Sequence, residues 1–164
     1  MKNDLVCALL LFVSLTSAAA AKDVGFPKDA PAISIAMPEG WKTRSEDGKL
    51  YVTTDDEKSV VVELSALKAS KQEGPKALAE VKASVLDAFK NVQFKPMQEG
   101  SSNNVGLYIL NGTGEDDFGK AKFNAVMVTN GDNDKLFMVF IAASAEGAEK
   151  HHKEIGAILD SIKH

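Results

Sequence analysis

Two adjacent histidines, His151 and His152, come nearest in type and spacing to a metal site. Glu154 follows His151 at i+3, and residues three apart share one face of a helix, so this pair could supply half of a coordination sphere. Successive helix residues point about 100° apart, so the two imidazoles do not bind one ion together. The remaining histidine is the terminal His164, which disfavours a two-histidine site. The apolar stripe of Ile155, Leu159 and Ile162 brings one of the pair to the core margin, so we interpret it as a boundary histidine. The pair with Glu154 stays as a metal candidate.

Three acidic stretches supply further carboxylates: TTDDEK, GEDDFG and NGDNDK. Asp132 and Asp134, in the third, resemble the start of a calcium-binding loop. An EF-hand loop needs glycine at its sixth position and glutamate at its twelfth, but counting from Asp132 those positions hold Phe137 and Ala143. Hairpin tips are commonly built from Asp, Asn and Gly, so we expect three surface turns. Asp132 and Asp134 remain candidates only for loose metal binding.

Trp41 is the only tryptophan and follows the turn sequence MPEG. One interpretation places its ring at the rim of a ligand cleft, as a stacking surface. The other is a plug: a strand ends at Pro38, the chain reverses at Gly40, and the ring seals the open end of the core. Burying an indole removes up to about 250 Å² from water, or about 6 kcal/mol at about 25 cal/mol/Å². Packing alone therefore explains Trp41, and we favour the plug while keeping the ligand rim as the alternative.

Signatures of catalysis are missing from the sequence. It has no G-x-S-x-G motif, and no glycine-rich loop joins a strand to a helix. The carboxylates fall in turns and on polar helix faces, where ordinary pKa values are expected. We therefore predict a protein that is not an enzyme and has no cofactor. A formal charge of −4, with lysines and carboxylates interspersed, excludes the basic face that nucleic-acid binding needs.

The N-terminus has the pattern of a secretory signal peptide, predicted over residues 1–21. A charged start precedes the apolar run LVCALLLFVSLT, and SAAAAK then offers a cleavage site after Ala20 or Ala21. The run is shorter than the roughly 20 residues that span a bilayer, so the mature chain has no transmembrane segment. Removing it takes away Cys7, the only cysteine, and with it thiol and iron–sulfur chemistry. We expect a periplasmic or secreted protein.

The pattern of apolar residues predicts the elements that position these candidates: an extended arm over 22–32 and a single α+β domain over 33–164. The runs ISIAM, KLYVTT and VVVELS alternate as strands and form an N-terminal three-stranded unit. An apolar stripe predicts a central helix from Gly74 that continues to Val92, and another predicts a helix at the C-terminus. A short strand over 94–97 and three long strands lie between them. The run KLFMVFIAAS is apolar on both faces, which favours the middle of an antiparallel sheet with helices packed on it.

This order of elements, with its two short motifs, resembles the PsbP-like fold superfamily, which includes bacterial exported proteins of the DcrB type. Pro38, Gly40 and Trp41 match its P-x-G-W turn, and residues 160–162 match its closing helix. The resemblance implies an α/β/α-like sandwich that docks onto larger assemblies and carries no catalytic residue. We therefore expect an accessory domain of the cell envelope that binds another envelope protein. The alternative is a carrier of a small ligand or metal ion that uses a cleft near Trp41.

Overall fold

The computed structural model describes residues 21–129 and 134–163. Ten strands and three α-helices lie within these ranges. The strands are β1 (Lys22–Phe26), β2 (Ile33–Met37), β3 (Lys42–Glu46), β4 (Lys49–Thr53), β5 (Val60–Ser70), β6 (Lys90–Phe94), β7 (Gln98–Ser102), β8 (Val105–Asp116), β9 (Gly119–Thr129) and β10 (Lys135–Ser144). The helices are α1 (Gly74–Ala88), α2 (Ala145–Lys150) and α3 (His152–Asp160). Apart from Ala21, the predicted signal peptide lies outside the described residues, as does Asp132.

Eight of the strands form one antiparallel sheet, and β1 and β2 form a separate two-stranded sheet. The order along the large sheet is β3-β4-β5-β10-β9-β8-β6. The strand β6 pairs with the second half of β8, and β7 pairs with the first half of the same strand. The strand β10 therefore lies in the middle, as its apolar sequence predicts. Its residues alternate between the two faces, and most of them are buried.

Each face of the large sheet packs on its own layer. On the first face, α3 and the β1–β2 sheet cover a core that includes Val62, Val126 and Ile158. On the second face, α1 covers two smaller clusters, one around Met127 and one around Phe123. The protein is thus an α+β sandwich with helices on both sides of an antiparallel sheet, and the predicted fold class is confirmed.

The pairing at the N-terminus differs from the predicted three-stranded unit. The strand β2 pairs with β1, whose residues were expected to form the arm, and Phe26 of β1 is buried in the core. The strand that joins β4 and β5 at this edge of the large sheet is instead β3. It pairs with β4 alone. All five residues of β3 are exposed, so it carries no hydrophobic alternation from which a strand could be predicted.

Both predicted helices are shorter than their stripes suggest. The helix α1 ends at Ala88, Phe89 is extended, and Val92 lies in β6 rather than on the helix. Asn91, the second residue of β6, has a φ of +52° where the pairing with β8 shifts register, a conformation that asparagine adopts more readily than most residues. The C-terminal helix is divided into α2 and α3 at His151, where φ is −107° and ψ is 20°.

Candidate functional site

Trp41 lies between the turn that ends β2 and the junction of α2 and α3. Gly40 has a φ of +80°, and the Trp41 amide donates to the Pro38 carbonyl at 3.3 Å, which closes the turn. The indole is 8% exposed and belongs to the core cluster of the first face. Its ring meets the His151 ring edge to face, with centroids 5.8 Å apart and an angle of 90°. Trp41 therefore offers little surface to a ligand.

His151 and Glu154 lie near each other, while His152 is directed elsewhere. Nδ1 of His151 lies 3.6 Å from Oε1 of Glu154, and the imidazole is 14% exposed. Nδ1 of His152 instead lies 3.0 Å from the carbonyl of Glu149, on the exposed side of the helix. Across residues 21–129 and 134–163, no group of three His, Cys, Asp or Glu side chains is arranged to hold a metal ion. The His151–Glu154 pair therefore has no third ligand there.

Asp134 lies directly before β10, at the opposite end of that strand from His151. Its carboxylate accepts a hydrogen bond from the Gln72 side chain, and its carbonyl accepts one from the Lys71 amide at 2.8 Å. These contacts attach the connection before β10 to the segment that leads into α1. Asp134 therefore has a structural role at this connection.

Two carboxylates have strongly lowered pKa values, and local turns explain both. Hydrogen bonds from the hydroxyls of Ser59 and Thr54, and from two backbone amides, hold the Asp56 pKa far below its usual range. The Lys76 ammonium, then the amide and hydroxyl of Ser70, lower the Glu73 pKa to about 2. Asp56 is exposed and the Glu73 side chain is 43% exposed, so neither carboxylate has the shielded environment of a catalytic acid or base.

An apolar groove lies on the second face, between the first half of α1 and the sheet. Its volume is about 300 Å³, and Met97 at its open side is 39% exposed. The main apolar lining residues are Pro75, Leu78, Met97, Tyr108, Met127 and Leu136. Trp41 packs on the first face, so this groove is separate from the cleft that the sequence suggested. Its residues come from four elements and one connecting segment, and no local motif marks them.

The fold brings two of the three acidic stretches to one end of the sheet. Val60, Ala143, Lys122 and Thr113 form a row across β5, β10, β9 and β8. The connection before β5, with TTDDEK, and the turn between β8 and β9, with GEDDFG, both extend beyond this row. NGDNDK joins the strands at the other end, and 130–133 of it lie outside the described residues.

Phe118 occupies the tip of the β8–β9 turn and is 75% exposed, more than any other large hydrophobic side chain described. Its amide donates to Oδ1 of Asp116 at 2.8 Å, and Gly119 has a φ of +114°. Nζ of Lys58, from the other acidic loop, lies 5.7 Å from the centroid of the Phe118 ring. The sequence contained one signal for this residue, an aromatic side chain among the polar residues of a hairpin tip. The carboxylates of that turn do not by themselves point to the ring.

Comparison with solved structures shows which known fold this architecture shares. The PsbP protein of Synechocystis, CyanoP, superposes with a TM-score of 0.63 at 10% identity, over 90% of this chain and 94% of that one. LpqN of Mycobacterium tuberculosis, involved in cell envelope biogenesis, superposes at 0.58 with 13% identity, over 87% and 88%. The Ran-binding protein Mog1p of Saccharomyces cerevisiae gives 0.53 at 9% identity, over 89% and 96%.

The chain therefore has the PsbP-like fold, as the sequence resemblance implies. No family model and no curated protein matches its sequence. At 9–13% identity the structural similarity establishes the fold and not the activity. No helix within the described ranges is long and apolar enough to cross a membrane.

Proposed function

We propose that this protein is an exported, non-catalytic accessory domain of the cell envelope that binds another protein. The observation that carries the proposal is Phe118, a large apolar ring held 75% exposed at the tip of a hydrogen-bonded turn. Aromatic side chains on ordered surfaces are typical anchors of protein interfaces, because burying them gains much apolar area at little entropic cost. The envelope role of LpqN, which shares the fold, supports the proposed location.

Export is compatible with the position of β1, the first strand of the described residues. The first strand starts at Lys22, so cleavage after Ala20 or Ala21 leaves all the described strands and helices intact. Mass spectrometry of the protein isolated from its own cells tests this point. We expect a mature chain that begins at Ala21 or Lys22 and fractionates with the envelope or medium. An uncleaved chain in the cytosolic fraction would contradict export.

Protein binding is tested by retaining partners from an envelope extract on the tagged mature chain after reversible cross-linking. We expect one partner enriched in constant proportion to the bait, and no such enrichment on a heat-denatured bait. The non-catalytic role is tested separately on a broad panel of hydrolase substrates. Turnover of any substrate that a single substitution abolishes would contradict it.

A second candidate function is carriage of a small apolar ligand, and the groove of about 300 Å³ beside α1 favours it. A hydrophobic fluorescent probe that binds this groove should be released when Met97→Gln places an amide at its open side. Leu86→Gln is the matched control. Leu86 is 57% exposed on α1, the helix that borders the groove, but it does not line the groove itself. Probe binding that is equal in the two variants would exclude the groove as the site.

A further inference from the structure

The end of the sheet that carries TTDDEK and GEDDFG has an exposed aromatic ring beside carboxylates, which are features of a docking surface. We propose that Phe118 inserts into an apolar pocket on the partner protein, and that Arg or Lys side chains at the rim of that pocket pair with Asp116 and Asp117. This inference rests on the proposed protein-binding function and specifies its surface and its partner. It concerns the two loops around residues 54–59 and 115–120, which we call the acidic end.

The position of the Phe118 ring is fixed before any partner arrives. The strands β8 and β9 stay paired up to Asp116 and Gly119, so the turn projects from a continuous ladder. The Phe118 amide is held by the Asp116 side chain, and the Lys58 ammonium stands over one face of the ring. An anchor that is already positioned loses little conformational freedom on binding, which favours affinity.

The loop that supplies Lys58 is itself held by hydrogen bonds. The Asp56 carboxylate accepts from the amides of Lys58 and Ser59, at 3.1 and 3.0 Å, and from the hydroxyl of Thr54. The acidic end is therefore two ordered loops joined by the contact between Lys58 and the Phe118 ring. Both loops would contact the same partner.

The charges around Phe118 determine which kind of pocket fits. Six carboxylates lie in the two loops, and four lysines pair with them or lie beside them. Lys42 bridges Asp55 and Glu57 of the first loop at 3.1 and 3.6 Å. At the second loop, Lys90 of β6 and Lys120 of β9 are both in register with Glu115, further along the strands from the tip. The two aspartates next to the ring, Asp116 and Asp117, form no ion pair within the described residues.

A buried aromatic anchor beside such carboxylates requires a complementary rim. An apolar pocket without cations would leave both aspartates facing an uncharged surface, whereas arginine or lysine at the rim pairs with them. Such rim charges mainly raise the association rate, and this effect is lost at high salt. The partner that fits is thus a protein with an apolar pocket bordered by basic residues.

The experiment places a photoreactive benzoylphenylalanine at position 118 of the full chain, expressed in its own cells. A matched probe at position 86 replaces Leu86, which is also exposed but lies on α1. We expect a partner adduct from position 118 and none from position 86. The cross-linked peptide of the partner should be apolar and lie within a few residues of Arg or Lys in the partner's structure.

Affinity measurements with the captured partner then separate the anchor from the charges. Phe118→Ser should raise Kd about 10- to 100-fold, while Leu86→Ser should leave it within about twofold. Asp116→Asn keeps the oxygen that accepts from the Phe118 amide, so the double variant with Asp117→Asn removes charge without removing the turn. It should slow association several-fold at about 0.01 M ionic strength and lose this difference near 1 M, where the Debye length is about 3 Å. Asp134→Asn, at the other end of the sheet, is the matched charge control.

Three outcomes would overturn the inference. The first is a partner that the tagged chain retains but that binds the Phe118→Ser variant with unchanged Kd, which leaves the proposed function standing. The second is normal association of the Asp116/Asp117 double variant at low ionic strength, which rules out a basic rim. The third is an adduct from position 118 only to a second copy of this chain. If no partner is retained by the unaltered chain, the proposed function itself is wrong.

Discussion

Replacing Trp41 with alanine tests whether this ring holds the core together or serves a ligand. The indole is 8% exposed and contacts the core cluster of the first face. An indole buries up to about 250 Å², which gives an upper bound of about 6 kcal/mol at about 25 cal/mol/Å². A compact unfolded state lowers this by about 10–40%, to about 4–5 kcal/mol. We therefore expect Trp41→Ala to lower the free energy of unfolding by about 3–5 kcal/mol.

The assay is urea unfolding followed by far-ultraviolet circular dichroism, because the substitution removes the only tryptophan. Phe118→Ala is the matched control, since it truncates an aromatic ring that is 75% exposed, and it should change the free energy of unfolding by about 0.5 kcal/mol or less. Trp41→Phe retains part of the buried area and keeps the measurement possible if the alanine variant does not fold. In the unaltered protein, Trp41 fluorescence should resist quenching by iodide. A loss below about 1 kcal/mol for Trp41→Ala, together with free quenching, would refute the assignment of Trp41 to the core.

Two further perturbations test the contacts around the acidic end and its neighbouring helices. A Cβ at Gly147 would lie 2.1 Å from the Ser59 carbonyl oxygen, so Gly147→Ala should cost about 1–3 kcal/mol by thermal unfolding. Gly156→Ala meets nothing within 4 Å and should instead stabilise α3 by up to about 1 kcal/mol; equal effects of the two would contradict the close approach at Ser59. Because the folded-state pKa of Asp56 is lowered, its contribution to stability is complete above the unfolded pKa of about 4 and is lost as the pH falls through the folded value. Asp56→Asn should therefore lower the melting temperature at neutral pH and converge with the unaltered protein in strong acid, whereas a pH-independent difference would show that the charge of Asp56 is not involved.

The parts of the fold that the sequence could predict are those where burial produces a recognisable hydrophobic pattern in the sequence. The middle position of β10 follows from a run that is apolar on both faces, since a strand with two covered faces has no polar side. The strand β3 has no such pattern, because it lies at the edge of the sheet and all its residues are exposed. Charged residues are typical of edge strands, where they discourage pairing with another chain. The segment is a strand because it pairs with β4, and its own sequence does not show this pairing.

The candidate site could be predicted less well, because its residues are distant in sequence. GEDDFG and TTDDEK are both recognisable as turns, but Lys58 and Phe118 meet only because β5 and β8 are aligned through β10 and β9. Similarly, Trp41 and His151 are both visible in the sequence, while their edge-to-face contact depends on where α2 ends. Local patterns identify the turn and the aromatic residue, and only the sheet register brings them together.

Phe118 and Trp41 show the difference between a residue that the fold requires and one that it does not. The PsbP-like fold persists at 9–13% identity across about 90% of the chain, so it depends on the pattern of buried positions more than on particular residues. Trp41 satisfies that pattern, because its ring is buried in the core cluster. Phe118 is not part of the pattern of buried positions, because its ring is 75% exposed. A polar residue at this position would close the same turn through the Asp116 side chain. Since an exposed phenyl ring adds little to the stability of this chain, stability does not account for its position at the tip, and the proposed partner pocket does.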